Sequence, residues 1–173
     1  EFSRLGNKYP WKCTTTMFHL DEALVKQMGE SGCFRISVGL ESMEDAGLED
    51  LPIHKHDAFK KFNELLGWCN AAGIELNCFV IVGLPGTTVE GTRKMFDYLR
   101  ENKVRVRPSI FSDYSLLKEG MSEPDALRIL SRHIIPQHTG FSQQERAELY
   151  KIVFGVEPNL TQVMEAIPQR LSS

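Results

Sequence analysis

Four short segments rich in β-branched and aromatic residues, each but the last followed by a stretch of helical periodicity, leave few folds open to this chain. They are WKCTTTM (Trp11 to Met17), FRISVGL (Phe34 to Leu40), IELNCFVIVG (Ile74 to Gly83) and VRVRPSIF (Val104 to Phe111). Their composition is that of strands buried on both faces. Between them, DEALVKQMGESG sets Leu24, Val25 and Met28 at helical spacing, with Asp21 placed to cap the start and Gly32 to end it. DAFKKFNELLGWCNAAG repeats the plan, with Phe59, Phe62, Leu65, Leu66 and Cys69 on one stripe between Asp57 and Gly73. TVEGTRKMFDYLREN turns Met95, Phe96 and Leu99 inward behind a cap at Thr87 or Thr88. The order β-α-β-α-β-α-β requires a parallel sheet with right-handed crossovers.

Beyond Phe111 the pattern becomes helical. SEPDALRILSRHIIPQ opens on Ser122 with an early Pro124, SQQERAELYKIVFG opens on a capping box from Ser142 to Glu145, and NLTQVMEAIPQRL reads as a last short helix. At 173 residues, 42% hydrophobic and 25% charged, the chain can bury one ordinary core. A net charge of −3 argues against affinity built on neutralising phosphates, so nucleic acid is not the expected partner. No apolar run reaches the roughly 18 residues of a membrane span and the N-terminus lacks signal-peptide order, which gives a cytoplasmic reading. Cys13, Cys33, Cys69 and Cys78 are scattered without a C-x-x-C and read as small buried hydrophobes.

Parallel sheets bind ligands at the carboxyl ends of their strands, where loops converge and helix N-termini offer N–H groups. FVIVGLPGTT ends the third strand at Gly83 and turns through Leu84, Pro85 and Gly86, bringing backbone close to whatever lies above the sheet. The matching edge of the second strand is Gly39-Leu40-Glu41-Ser42. There a carboxylate and a hydroxyl can grip a polar ligand, or Glu41 can pair with a neighbouring base while Ser42 caps the next turn; the residues alone leave the two readings even. Asp113 and Tyr114 follow the fourth strand at the same mouth. His54, Lys55 and His56 share a loop, and His133 and His138 flank an apolar turn, but no acidic or thiol partner accompanies them and no metal site is expected.

WKCTTT, then LDEALVKQMGESGCFRISVGLES, then AAGIELNCFVIVGLPGTTVE resemble the second half of the radical S-adenosylmethionine (radical SAM) core domain. The branch it resembles includes the methylthiotransferases and the enzymes with a cobalamin-binding domain, such as anaerobic oxidative cyclases and radical methylases. The resemblance implies an α/β fold, half of a (β/α)6 barrel in which these strands are the third to sixth. Residues 1–115 would form the half-barrel and 116–173 a C-terminal helical extension. It implies that Glu41 and Ser42 contact the ribose and amino-acid part of SAM, that Val80, Ile81, Val82 and Gly83 line the adenine, and that Ser109, Ile110 and Phe111 add a wall. The cofactors implied are SAM and a [4Fe-4S] cluster, with any cobalamin in a domain outside this chain.

Two positions depart from the family pattern. The C-x-x-x-C-x-x-C loop that holds the cluster occurs nowhere in the 173 residues, and Thr16 stands where relatives often carry an arginine for the SAM carboxylate. The chain also starts at what would be the third strand. The expectation is therefore the C-terminal part of a radical SAM catalytic core, inactive alone, serving 5′-deoxyadenosyl-radical chemistry on a small-molecule or peptide substrate together with an N-terminal half of the same protein. The alternatives are a non-catalytic binding or interaction domain that keeps the half-barrel, and, less favoured, an aldolase-like barrel enzyme, for which a strand-end lysine is missing. An uncovered Trp11 strand would also make the isolated chain prone to self-association.

Overall fold

The structure is a computed structural model and describes residues 9–44, 58–129 and 140–155. The elements are β1 (Trp11–Thr14), α1 (Glu22–Glu30), β2 (Cys33–Glu41), α2 (Ala58–Ala71), β3 (Glu75–Val82), α3 (Val89–Glu101), β4 (Arg105–Ile110), α4 (Glu123–Ile129) and α5 (Gln143–Phe154). The strands form one parallel sheet in the order β1-β2-β3-β4, so each helical crossover joins neighbours, as the alternation predicts. The Asp57 cap, the histidines at 54, 56, 133 and 138, Lys55 and the NLTQVMEAIPQRL helix lie outside the described residues.

Helix ends follow local chemistry. The Asp21 carboxylate accepts from the Leu24 N–H at 2.7 Å, and the Thr88 hydroxyl, not that of Thr87, accepts from the Gly91 N–H at 2.9 Å. Thr87 instead donates to the Leu84 carbonyl at 2.7 Å, which ties it into the preceding turn. Ser142 and Glu145 form the full capping box of α5. The Trp11 strand is shorter than its sequence suggests: it ends at Thr14, and Met17–His19 form a 3-10 turn that buries Met17. Leu24 is 40% exposed, a departure from the expected stripe, because the face of α1 that packs inward carries only Val25 and Met28.

Two compact units divide the chain: Glu1–Val80 with Asp97–Pro108, and Ile81–Phe96 with Ser109–Ser173. In the first, α1 and α2 pack on each other and on β2. Ile36, Val38, Leu40, Phe62, Leu65 and Cys69 are completely buried there. Gly29 sits so close to the residue after α2 that an added Cβ would meet the Ala72 carbonyl oxygen at 2.9 Å. Gly29→Val is expected to cost roughly 2 kcal/mol by overpacking, read from urea unfolding, while Gly67→Ala, with open space around it, should be neutral or better. In the second unit Val82, Leu84, Met95, Phe96, Ile110 and Leu149 are the buried apolar residues among those described.

The strands are not apolar on both faces. In the first unit the parallel register sets Lys12 beside Arg35, Thr14 beside Ser37, Arg35 beside Glu75 and Ser37 beside Asn77. These residues alternate with Ile36, Val38, Leu76 and Cys78, and so share the face opposite the buried apolar one. The Arg35 guanidinium donates to Glu75 Oε2 at 2.7 and 3.0 Å, and Arg105 Nη1 lies 4.0 Å from Glu75 Oε1, which puts β4 arginines on that same face. Among the described residues of the first unit, α1 and α2 pack on β2, and the face opposite the buried apolar one carries these polar side chains.

Candidate functional site

The end of β2 is distorted. Its pairing with β3 slips between Gly39 and Glu41, so Glu41, not Leu40, stands beside Val80. Glu41 has φ +66°, and the Ser42 N–H donates back to the Leu40 carbonyl at 2.9 Å. A bond spanning two residues around a left-handed centre is the rarer, strained type of γ-turn. Glutamate gains nothing intrinsic from that conformation; a side chain there costs of order 1 kcal/mol relative to glycine. The bulge and turn together re-aim one carboxylate at the carboxyl end of a parallel strand. Glu41 is half-buried, and its charge adds to the burial that pushes the Cys78 thiol up to about 12.

Ser42 is buried, and its hydroxyl accepts from the Glu44 N–H at 3.0 Å, which is the turn-capping arrangement. Val80, beside Glu41, is fully buried on the apolar face, so it can offer a ligand its main chain but not its side chain.

In the second unit, Val82 is buried and Ile81 half-buried, as the two-residue period of a strand requires. Gly83 follows with φ +84°. Leu84 to Thr87 then close a turn in which the Thr87 N–H donates to the Leu84 carbonyl at 3.2 Å, with Pro85 second and Gly86, at φ +79°, third. That is a type II turn, whose third position excludes most side chains. The turn hands the chain to the Thr88 cap of α3, so the N-terminus of that helix follows the strand end within a few residues. Phe111 is half-buried and its N–H donates to the Val82 carbonyl at 2.9 Å, while Ser109 is exposed. The Asp113 carboxylate is held by the Ser115 N–H at 3.0 Å and hydroxyl at 2.6 Å, and Tyr114 is 70% exposed.

The expected contacts for SAM thus fall into two groups, one per unit: Glu41, Ser42 and Val80, and Ile81, Val82, Gly83, Ser109 and Phe111. Each group is built from strand ends. A sulfonium cofactor with an ammonium, a ribose and an adenine suits them chemically: a carboxylate for the positive or hydroxyl groups, main chain at a glycine turn, and apolar side chains for the base.

An iron-sulfur cluster does not suit the residues present. Cys33, Cys69 and Cys78 are buried, and burial pushes their thiols up to about 11, 12 and 12, away from the thiolate that binds iron. Burial raises Cys13 as well. Among the described residues no three His, Cys, Asp or Glu side chains gather to hold a metal.

The residues that sequence reasoning missed are on the polar face: Ser37, Asn77 and Arg107. The signal was present, since Lys12/Thr14, Arg35/Ser37, Glu75/Asn77 and Arg105/Arg107 each repeat at a spacing of two.

Comparison with known proteins agrees with this architecture. The family described as the Radical SAM superfamily matches residues 2–99. A curated relative, cytidylyl-2-hydroxyethylphosphonate methyltransferase of Streptomyces wedmorensis, is 27% identical over 106 residues, covering 58% of this chain and 20% of that protein. The chain therefore spans about a fifth of that relative's length. Among solved structures, coproporphyrinogen III oxidase (HemN) from Escherichia coli, described as a radical SAM enzyme, aligns at TM-score 0.58 and 17% identity over 93% of this chain and 35% of its own. The radical S-adenosylmethionine methyltransferase TsrM from Kitasatospora setae, solved with cobalamin and a [4Fe-4S] cluster bound, aligns at TM-score 0.53 and 19% identity over 60% of this chain and 21% of its own. Both likenesses agree with the α/β fold of parallel strands and crossover helices as part of a larger barrel, and with more than half of its residues matched by the family, this chain belongs to the radical SAM superfamily.

Proposed function

We propose that the chain is the SAM-facing, C-terminal part of a radical SAM catalytic core, working in the cytoplasm on a small-molecule or peptide substrate. The observation that carries this reading is the strained turn at Glu41. A glutamate held at φ +66° beside a bulge, at the end of a strand that matches the family, is the kind of backbone distortion that persists where a side chain must be aimed. Glu41 binds the ribose hydroxyls or the ammonium of SAM. Ser42 fixes the turn through Glu44 and so holds Glu41 in place. Gly83 and the type II turn after it let main chain approach the adenine, and Ile81, Ser109 and Phe111 orient the base and exclude water from it.

SAM, when bound with a reduced cluster, supplies a 5′-deoxyadenosyl radical. The cluster is held by residues outside this chain's cysteines, in the remainder of the core, and any cobalamin belongs to a further domain.

Titrating SAM calorimetrically into the longer protein that carries the cluster tests the role of Glu41. Glu41→Gly, which keeps the turn and relieves its strain, is expected to weaken SAM roughly tenfold to hundredfold, the worth of one charge-assisted hydrogen bond. Unchanged affinity in Glu41→Gly would remove the side chain from the site and leave the turn as a purely structural device.

A further inference from the structure

The polar face of the first unit contains an unmatched amide. Asn77 is 2% exposed; its Nδ2 donates to the Ser37 hydroxyl at 3.0 Å, and its Oδ1 has no partner among the described residues. Buried amide oxygens are almost always satisfied, and an orphan is a place where something is missing. Ser37, 8% exposed, accepts from Asn77, and its own hydroxyl hydrogen has no acceptor among the described residues. An acceptor and a donor therefore stand side by side, both uncommitted.

Their surroundings carry positive charge. Below them, toward the strand starts, Arg35 and Arg105 share the single carboxylate of Glu75. Two residues past Arg105 on the same face of β4 comes Arg107, exposed and without a side-chain partner among the described residues. On the other flank, Thr14 lies beside Ser37 in the β1 register. The row is not the SAM site: Ser37 precedes Glu41 by four residues of strand, about 13 Å at the usual rise.

We infer that Ser37, Asn77 and Arg107 form a substrate subsite for an oxyanion, a carboxylate or phosphate, that carries a hydroxyl or amine hydrogen. The hydroxyl or amine donates to Asn77 Oδ1, the Ser37 hydroxyl donates to the ligand, and Arg107 neutralises the anion. Anchoring of this kind, away from the reacting atoms, is how binding energy from a remote substrate group positions the rest. This inference names a substrate class and rests on the radical SAM reading above.

The test uses the whole chain, isotopically labelled, with three probes: glycerol 3-phosphate, which has both groups, inorganic phosphate, which lacks the carbon-borne hydroxyl, and glycerol, which lacks the anion. Glycerol 3-phosphate is expected to shift the Asn77 side-chain amide resonances saturably and to bind at least about tenfold tighter than either single-group probe. Asn77→Leu is expected to abolish the discrimination while raising Tm, because it deletes the orphan acceptor; a purely structural amide would lower Tm or leave it alone. Arg107→Gln, at an exposed position where folding is not at stake, should weaken glycerol 3-phosphate by about tenfold and decides the matter if Asn77→Leu does not fold. No saturable shift, equal binding of all three probes, wild-type binding in Arg107→Gln, or competitive displacement by SAM would overturn the subsite. SAM binding, measured on the longer protein that carries the cluster, is a separate readout: its absence with the phosphate response intact sinks the cofactor reading alone, and the converse sinks only this one.

Discussion

Phe62→Ala is expected to destabilise the chain by roughly 3–5 kcal/mol, enough to unfold most of a marginally stable domain. Phe62 is the largest side chain among those fully buried, at 0% exposure on α2, the helix that packs against both α1 and β2. Its removal leaves a cavity lined by residues already committed to other contacts, so collapse is limited and the cavity cost adds to the lost transfer energy. Phe62→Leu keeps most of the volume and should cost under about 1.5 kcal/mol. Phe59, three residues earlier, is the control: it is half-buried, with its ring edge-on to Tyr98 at 5.4 Å, and Phe59→Ala should cost clearly less. Urea unfolding followed by circular dichroism measures all three, and a Phe62→Ala loss no larger than that of Phe59→Ala would mean the α2 core is not the seat of stability.

Anaerobic reconstitution of the 173-residue chain with iron and sulfide is expected to leave it without a cluster. The cluster-binding cysteine loop is absent from the sequence, and three of the four thiols are buried and protonated well above neutral pH. The sign for pH is definite: a thiol pushed up by burial is more easily ionised in the unfolded chain, so folding stability falls as pH rises past the ordinary thiol value of 9.0 toward 11 and 12. Alkylation of Cys33, Cys69 and Cys78 in the native state should accordingly be slow and should accelerate on unfolding. Stoichiometric bound iron and sulfide with a visible charge-transfer band would show the assignment of the cluster to other residues to be wrong.

What could be read in the sequence was what depends on near neighbours. Asp21 and the Ser142–Glu145 box cap helices through side chains three residues away, so composition alone locates them. The strand-helix alternation and the two strand-end motifs, Gly39 to Ser42 and Gly83 to Gly86, likewise carried the family. The choice between Thr87 and Thr88 was not legible, because two adjacent threonines offer the same hydroxyl and only the turn geometry decides. The left-handed Glu41 was invisible for a stronger reason: a non-glycine residue forced to positive φ leaves no mark in composition. The reading of strands as buried on both faces holds at Ser37 and Asn77, which are buried, but it left the polar character of that face unread, because apolar neighbours masked a period-two polar pattern that needed register with β2 to become meaningful. The residues proposed for SAM, Glu41, Ser42, Val80, Ile81, Val82, Gly83, Ser109 and Phe111, all fall within two residues of a strand end, a placement in the fold that the sequence foresaw; the direction of each side chain depends on strand parity.

A sheet with one apolar and one polar face has a thermal signature. Heat capacity of unfolding rises with apolar surface newly hydrated and falls with polar surface newly hydrated. On the face opposite the apolar one, Lys12, Thr14, Arg105 and Arg107 are already hydrated in the folded chain and change little on unfolding, and the buried Ser37 and Asn77 subtract, where a doubly apolar sheet would add. The stability curve of this chain should accordingly be flatter, with weaker cold destabilisation, than that of an equally long parallel-sheet domain covered by helices on both sides.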